Sequence, residues 1–236
     1  MEEKMIKILC ISDQHGLLSP LDKIEPADLC LIAGDICPHF HTHYVGDSDD
    51  CFGQAQWLLT TFKPWMDALP VKQTYFCWGN HDWVGEKTPY QLPSFADPKN
   101  KINCIQDDFV IYEGLKIWFS PWQLFFFNWA FNAPEKNGEE FLKQKYDLIP
   151  NDTDIIVSHS PPYGYGDLVQ RGEKTGSKSL LEIIGRINPS LCVVGHIHVQ
   201  TFNQTNIYKH KNTTIINASV VDEKYRLVNN GTLTEI

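Results

Sequence analysis

Short apolar runs that end in clusters of oxygen and nitrogen donors are the feature that most constrains the fold of this chain. Five clusters follow, directly or nearly so, runs typical of buried strands. They are Asp13-Gln14-His15, Gly34-Asp35, Gly79-Asn80-His81-Asp82, Ser158-His159-Ser160 and Gly195-His196-Ile197-His198. The repeated context predicts loops at the ends of several strands that deliver carboxylate, amide and imidazole groups to one place.

The first half of the chain alternates predicted strands and helices, and the tail is nearly all strand. The predicted strands are Ile6–Ile11, Leu29–Ala33, Thr74–Cys77, Ile102–Gln106, Phe109–Tyr112, Leu115–Ser120, Asp154–Ser158, Leu191–Val194, Gln200–Asn203, Ile207–Lys209, Thr213–Asn217, Tyr225–Asn229 and Thr232–Ile236. The predicted helices are Gln54–Leu69, Glu139–Tyr146 and Ser179–Ile187. This order favours an α/β fold with added antiparallel strands, and a length of 236 residues favours one domain over residues 1–236.

Composition narrows the classes of partner. A formal net charge of −9 argues against long nucleic acid and against a membrane surface, because both need a basic footprint. The seven cysteines contain no C-x-x-C pair, and several lie in apolar runs, which indicates a reducing, cytoplasmic compartment. The sequence predicts no signal peptide and no membrane span.

The donor clusters suit hydrolysis of a phosphate ester by two metal ions. Such ions can activate water, stabilise charge on the phosphoryl oxygens and neutralise the leaving group. The candidate metal ligands are Asp13, His15, Asp35, Asn80, His159, His196 and His198. Asp35 is suited to bridge two ions, and Asp13 and His15 can chelate one from a shared turn. With no cysteine ligand, the set predicts two divalent ions of Mn, Fe or Zn, of which Mn is the choice for assays in vitro.

The ordered blocks D-x-H, G-D, G-N-H-[DE], H and G-H-x-H resemble the calcineurin-like metallophosphoesterase superfamily, with matches that span Asp13 to His198. The resemblance implies a four-layer α/β/β/α sandwich of two mixed sheets flanked by helices. It implies one metal on Asp13, His15, Asp35 and His198, and a second on Asp35, Asn80, His159 and His196. It also implies that His81 faces the substrate phosphate and the leaving group as a donor and general acid, with Asn80 and Asp35 as the other catalytic residues.

Further segments resemble one subfamily, the metallophosphoesterase-domain-containing proteins first described in animal brain. They are Ser120-Pro121-Trp122-Gln123, Phe127-Asn128-Trp129-Ala130-Phe131-Asn132, His159-Ser160-Pro161-Pro162 and Ile216-Asn217-Ala218-Ser219. This likeness implies a phosphodiesterase for a small phosphodiester such as a cyclic nucleotide, which is attacked in line by a hydroxide that the metals hold. Asn80 and His81 would contact the substrate.

Several alternatives stay open. The first alternative is a phosphomonoesterase that acts on a nucleotide or a phosphoprotein. Protein phosphatases of the superfamily continue G-D with x-V-D-R-G, whereas this chain has Ile36-Cys37-Pro38-His39, which disfavours the phosphoprotein substrate. A non-catalytic interaction module on the same fold ranks lower, and a nuclease lower still. His39, His41 and His43 are hypotheses for a substrate rim or a third metal site, with a surface loop as the alternative. The sequence predicts neither the orienting partner of His81 nor the oligomeric state.

Overall fold

Two β-sheets carry the fold in the computed structural model, which describes residues 5–40, 48–89, 92, 95, 100–198 and 206–236. Within these residues the strands are β1 (Lys7–Ile11), β2 (Ala27–Ala33), β3 (Val71–Cys77), β4 (Ile102–Cys104), β5 (Asp108–Tyr112), β6 (Leu115–Ser120), β7 (Ile155–Ser158), β8 (Leu191–Val194), β9 (Ile207–His210), β10 (Thr213–Asn217) and β11 (Thr232–Glu235). The helices are α1 (Ser48–Trp57), α2 (Lys63–Ala68), α3 (Trp83–Lys87), α4 (Gly138–Tyr146) and α5 (Lys178–Ile187).

Both sheets are mixed. The first has the order β11-β1-β2-β3-β4, in which β1 to β4 are parallel and β11 pairs antiparallel with β1. The second has the order β5-β6-β7-β8-β10-β9, with a parallel centre and antiparallel edge strands β5 and β9. The predicted parallel arrangement with added antiparallel strands is confirmed.

Alternate residues of the central strands face two different apolar layers. In β2, Leu29 and Leu31 pack between the sheets against β6 and β7, whereas Cys30 and Ile32 pack with α1 and α2 on the outer face. Helices α4 and α5 cover the outer face of the second sheet, where Ile156 packs in a third apolar cluster. Strands buried on both faces explain the nearly continuous apolar runs. The layers are helix, sheet, sheet and helix, as predicted.

The helix predicted over Gln54–Leu69 is present but interrupted. It begins earlier, as α1 at Ser48, passes through a π-helical stretch at Leu58–Phe62 and resumes as α2, where Pro64 lies in the first turn. Proline has no N–H and its ring clashes with the preceding turn, so the first turn of a helix is where it fits. The wider π-helical turn lies directly before it.

The strand predicted at Tyr225–Asn229 is wrong, because local side-chain hydrogen bonds form a turn there. The Asp222 carboxylate accepts from the N–H groups of Lys224 and Arg226 at 2.9 and 3.0 Å. Tyr225 has φ +54°, outside the extended region that a strand needs. The strand predicted at Gln200–Asn203 lies outside the described residues.

Two further predictions concern the environment of the chain. No disulfide joins any of the seven cysteines, all of which lie in the described residues. In the part of the chain that the structure describes, no helix has both the length and the apolar character needed to cross a bilayer.

Candidate metal centre

The five donor clusters lie on loops that leave the carboxyl ends of five strands. β1 precedes Asp13 and His15, β2 precedes Asp35, β3 precedes Asn80 and His81, β7 precedes His159, and β8 precedes His196 and His198. Two bonds join the ends of the two sheets: Val220 N–H donates to Ser12 O at 3.0 Å, and His159 Nδ1 lies 2.8 Å from Ala33 O. Every predicted site residue therefore reaches one place.

The backbone at these strand ends is left-handed. Asp13, His15, Asp35 and His196 have φ values of +56°, +46°, +53° and +68°. A non-glycine residue in this region costs on the order of 1–2 kcal/mol, and such residues cluster at functional sites. Four of them among seven candidate ligands indicate that the loops are shaped to turn these side chains inward.

The candidate ligands form two groups. In the first, His15 Nε2 and His198 Nε2 lie 3.0 Å apart, and His198 Nε2 lies 3.9 Å from Asp13 Oδ1. In the second, Asn80 Oδ1 lies 2.8 Å from His159 Nε2 and 2.7 Å from His196 Nδ1. With Asp35 added to each, these groups are the two ligand sets that the family resemblance implies for two ions.

Asp35 lies between the two groups. Its Oδ2 is 3.7 Å from His15 Nε2, and its Oδ1 is 3.5 Å from His159 Nε2. One carboxylate oxygen therefore faces each group. Distances of this size leave room for an ion between ligand atoms, and the arrangement fits the bridging role expected of Asp35.

In the metal-free protein, burial favours the protonated form of the carboxyls, which a bound cation would reverse. Burial also favours the neutral form of the imidazoles, which is the form that binds a cation. Burial is the largest cause that raises the pKa of Asp13 to about 7, and it raises the pKa of Asp35, with Asp13 as a further cause. Burial also lowers the pKa of His15 and His159, which keeps both imidazoles neutral with a free lone pair. Two buried carboxyls beside neutral imidazoles, with no thiolate, form a donor set that fits divalent cations.

Hydrogen bonds to backbone groups orient the candidate ligands. His159 Nδ1 bonds to Ala33 O, which leaves Nε2 as the lone-pair nitrogen toward Asp35. Asp13 Oδ1 accepts from His196 N–H at 2.9 Å. Such partners fix the tautomer and the direction of metal ligands.

Asp82 joins two ligand loops and does not orient His81. Its buried carboxylate accepts from the backbone N–H groups of Ile36, Cys37 and Gly79, at 3.0, 2.8 and 2.8 Å. The first two donors follow Asp35, and the third precedes Asn80. Asp82 therefore clamps the two loops at a fixed separation.

His39 lies beside His81, whose orienting partner the sequence did not predict. His81 Nδ1 and His39 Nε2 lie 2.5 Å apart, and the His81 ring stacks on Trp129 with centroids 4.1 Å apart. His81 Nε2 is thereby directed toward Asp35 Oδ2, 4.0 Å away. Ligand atoms of His15, His39 and His81 also lie close enough to share a cation. His41 and His43 lie outside the described residues.

Tyr225 is a site residue that sequence reasoning missed. Its ring meets those of His15 and His198 edge-on, with centroids 4.8 and 5.0 Å apart. The residue was assigned to a strand, and no spacing signal connected it with the histidines. The only local hint is the short acidic turn before it, where Asp222 caps backbone N–H groups.

Comparison with known proteins identifies the class to which this fold and site belong. The family model described as calcineurin-like phosphoesterase matches residues 6–200, and the chain belongs to this family. The family carries out metal-dependent hydrolysis of phosphoesters, typically with two metal ions.

Particular relatives agree with the narrower resemblance. Metallophosphoesterase domain-containing protein 1 of Homo sapiens is 30% identical over 94% of this chain and 68% of its own length. The UPF0046 protein T07D4.2 of Caenorhabditis elegans is 26% identical over 98% of this chain and 60% of its own length. The crystal structure of TT1561 of Thermus thermophilus shares the fold, with a TM-score of 0.59 at 16% identity over 99% of both chains.

Proposed function

We propose that this protein is a dinuclear-metal phosphodiesterase that hydrolyses a small phosphodiester, with a cyclic nucleotide as the first substrate to test. The observation that carries the proposal is the convergence of six candidate ligands in two groups on either side of a seventh, Asp35, with His81 beside them. Asp35 Oδ1 accepts from His81 N–H at 2.8 Å, so the candidate acid and the bridging carboxylate are held together.

The residues have distinct roles in this proposal. Asp13, His15 and His198 would hold one ion, Asn80, His159 and His196 would hold the other, and Asp35 would serve both. When bound, two divalent ions activate water and neutralise charge on the phosphoryl oxygens. Asn80 and His81 would contact the phosphate, and His81 as the imidazolium would donate its Nε2 proton to the departing oxygen and become a neutral imidazole. His39 and Trp129 hold the His81 ring in the orientation that this transfer needs.

The surroundings of the ligands favour a diester over a monoester. Trp129 stacks on His81 on one side, and Tyr225 covers His15 and His198 on another. A diester carries an organic group on each side of phosphorus and one negative charge, which suits neutral aromatic walls. A monoester is a dianion at neutral pH and gains less from them.

The substrate class, the location and the identity of the ions are also proposed from the sequence. The substrate is a small molecule, the location is the cytoplasm, and the ions are Mn, Fe or Zn. Seven thiols support a reducing compartment, and the net charge of −9 disfavours long nucleic acid and a membrane surface as partners.

Turnover of bis-p-nitrophenyl phosphate and p-nitrophenyl phosphate, measured with Mn²⁺ for the wild type and His81→Ala, tests the proposal. We expect metal-dependent turnover with preference for the diester, and a fall in kcat of about 100-fold in the variant. The fall is expected to be larger for 3′,5′-cyclic AMP, whose alkoxide leaving group is more basic than p-nitrophenolate. His210→Ala is the matched control, because His210 bonds to Tyr165 and lies outside the ligand groups.

Each alternative function gives a different result. Preference for the monoester would replace the phosphodiesterase with a phosphatase. Two bound Mn²⁺ per chain with no turnover of any ester would favour an interaction module. A His81→Ala variant that binds two ions and keeps full activity would remove His81 from the mechanism.

A further inference from the structure

A cavity of about 640 Å³ opens beside the candidate metal centre. His196 and His198 line it, and so does Tyr225, so it is continuous with both ligand groups. Its volume is in the range of pockets that bind small organic molecules. The roles proposed above account for the phosphate and leave this space unassigned.

One side of the cavity is an aromatic wall, formed by Phe125, Phe126 and Phe127. The three side chains are 46%, 50% and 69% exposed. Consecutive aromatic residues at this exposure form an apolar surface of the kind that marks a binding site. Phe126 meets His196 edge-on with centroids 6.2 Å apart, which places the wall directly beside the candidate metal ligands.

Two side-chain amides hold the loop that carries the aromatic wall. The Asn132 side chain donates to Phe127 O at 2.9 Å and accepts from Phe126 N–H at 3.3 Å. Gln123, which is fully buried, donates to Asn132 Oδ1 at 2.9 Å. The exposed rings therefore belong to a loop whose backbone is held by its own hydrogen-bond network, which lowers the cost of ordering this loop when a ligand binds.

The loop is also tied to the metal centre. Ala130 N–H donates to Asn80 O at 3.0 Å. A candidate ligand and the aromatic wall are thus one short segment apart. A ligand group in the cavity is held in a fixed relation to the phosphate.

Two turns that hydrogen-bond to each other also line the cavity. Glu223 bonds to the backbone of Gln170, which joins the turn carrying Tyr225 to the hairpin at 168–174. Asp222 fixes the position of Tyr225 through the bonds described above. The Tyr225 ring is 47% exposed and faces the cavity that the aromatic wall bounds.

We infer that this cavity binds a planar aromatic substituent of the substrate, such as a nucleobase, with Phe126, Phe127 and Tyr225 as specificity-determining residues. Planar rings gain from face and edge contacts with aromatic side chains, and stacking tolerates different bases. Gln170 and Thr175 line the same cavity and offer hydrogen bonds to ring edges. The inference rests on the proposed function, because the ring is carried there by a phosphate bound at the metal centre.

Product binding tests the inference without requiring turnover. Thymidine 5′-monophosphate and 2-deoxyribose 5-phosphate differ only by the base, and calorimetry of the Mn²⁺-loaded protein gives the Kd of each. We expect thymidine 5′-monophosphate to bind about tenfold more tightly, and the ratio to fall toward one in Phe126→Ala and Phe127→Ala. Phe127→Leu, which keeps the apolar bulk and removes the ring, is expected to lower the ratio as well.

Phe52→Ala is the matched control, because Phe52 is 68% exposed and is not among the residues that line the cavity. An equal fall of the ratio in this control would overturn the inference, as would equal affinities for the two phosphates in the wild type. Hexyl phosphate that binds as tightly as thymidine 5′-monophosphate would replace the planar ring with an alkyl chain. A base preference without turnover of any diester would support the cavity while the proposed function fails.

Discussion

The clamp formed by Asp82 offers the sharpest test of how the site is built. Asp82→Ala removes the acceptor of three backbone N–H groups, those of Ile36, Cys37 and Gly79, all within 3.0 Å of the carboxylate. The side chain is fully buried, so these donors lose their partner away from bulk water. The loops that carry Asp35 and Asn80 lose their connection at the same time.

The expected magnitude follows from two opposing effects. A buried donor without a partner costs about 1–3 kcal/mol, and water entering the space left by alanine keeps each of the three near the lower end, which gives a sum of about 3 kcal/mol. In the metal-free protein the Asp82 charge also repels Asp35, whose pKa it raises. Its removal therefore offsets part of the loss, and about 2 kcal/mol remains.

Equilibrium urea unfolding measures the free energy of unfolding of the metal-free and of the Mn²⁺-loaded protein. We expect Asp82→Ala to lower the free energy of unfolding in both states, and more in the loaded one. Asp82→Asn keeps the shape but presents an NH₂ group to an N–H donor, so an intermediate loss is expected. Asp22→Ala is the control, since the Asp22 carboxylate is 76% exposed and is expected to change stability by less than about 0.5 kcal/mol.

One pattern of results would refute the reasoning. A loss below about 1 kcal/mol in both states, with unchanged Mn²⁺ affinity, would mean that the loops keep their separation without Asp82. The hydrogen bonds to its carboxylate would then follow from the loop geometry and would not cause it.

Two further predictions concern residues outside the ligand set. His39→Ala is expected to lower kcat about tenfold while two Mn²⁺ ions stay bound, because it removes the partner of His81 Nδ1. His39→Gln is expected to recover part of the rate. Steady-state kinetics and metal analysis test this, and an equal loss of kcat in both variants would contradict it. Glu139→Ala is expected to lower the free energy of unfolding by about 2 kcal/mol, because the carboxylate accepts from the N–H groups of Lys178 and Ser179 in the first turn of α5. Urea unfolding with the exposed neighbour Glu140→Ala as control would contradict this if the two variants were equally stable.

The convergence of the candidate ligands could be predicted from the sequence because parallel strands relate position along the chain to position in space. Each of β1, β2, β3, β7 and β8 is short and apolar, and each ends directly before a donor cluster. The carboxyl ends of parallel strands meet at one edge of a sheet, so a cluster after each strand is enough to predict convergence. Asp35 could be assigned a central position for the same reason, since β2 lies between β1 and β3.

Residues that reach the site across the fold could not be predicted in this way. His39 meets His81 from a segment beyond Asp35, and no periodicity relates the two. Tyr225 depends on a turn that Asp222 stabilises against the β propensity of its neighbours, so local propensity gave the wrong element. Both residues contact histidines of the candidate site from outside the strand ends, where neither register nor alternation carries information.

The difference between candidate ligands at strand ends and residues that reach the site from loops bears on how substrate specificity arises in this fold. Ligands at strand ends are fixed by backbone that is buried on both sides, and four of them hold a left-handed conformation that the sheets must stabilise. The aromatic wall and Tyr225 lie on loops whose hydrogen bonds are mostly internal, through Asn132 and Asp222. Loop side chains that do not touch the candidate ligands can therefore change while the strand ends keep their conformation. Relatives that keep the ligand clusters but differ at these loops should share the hydrolytic chemistry and differ in the organic group they accept.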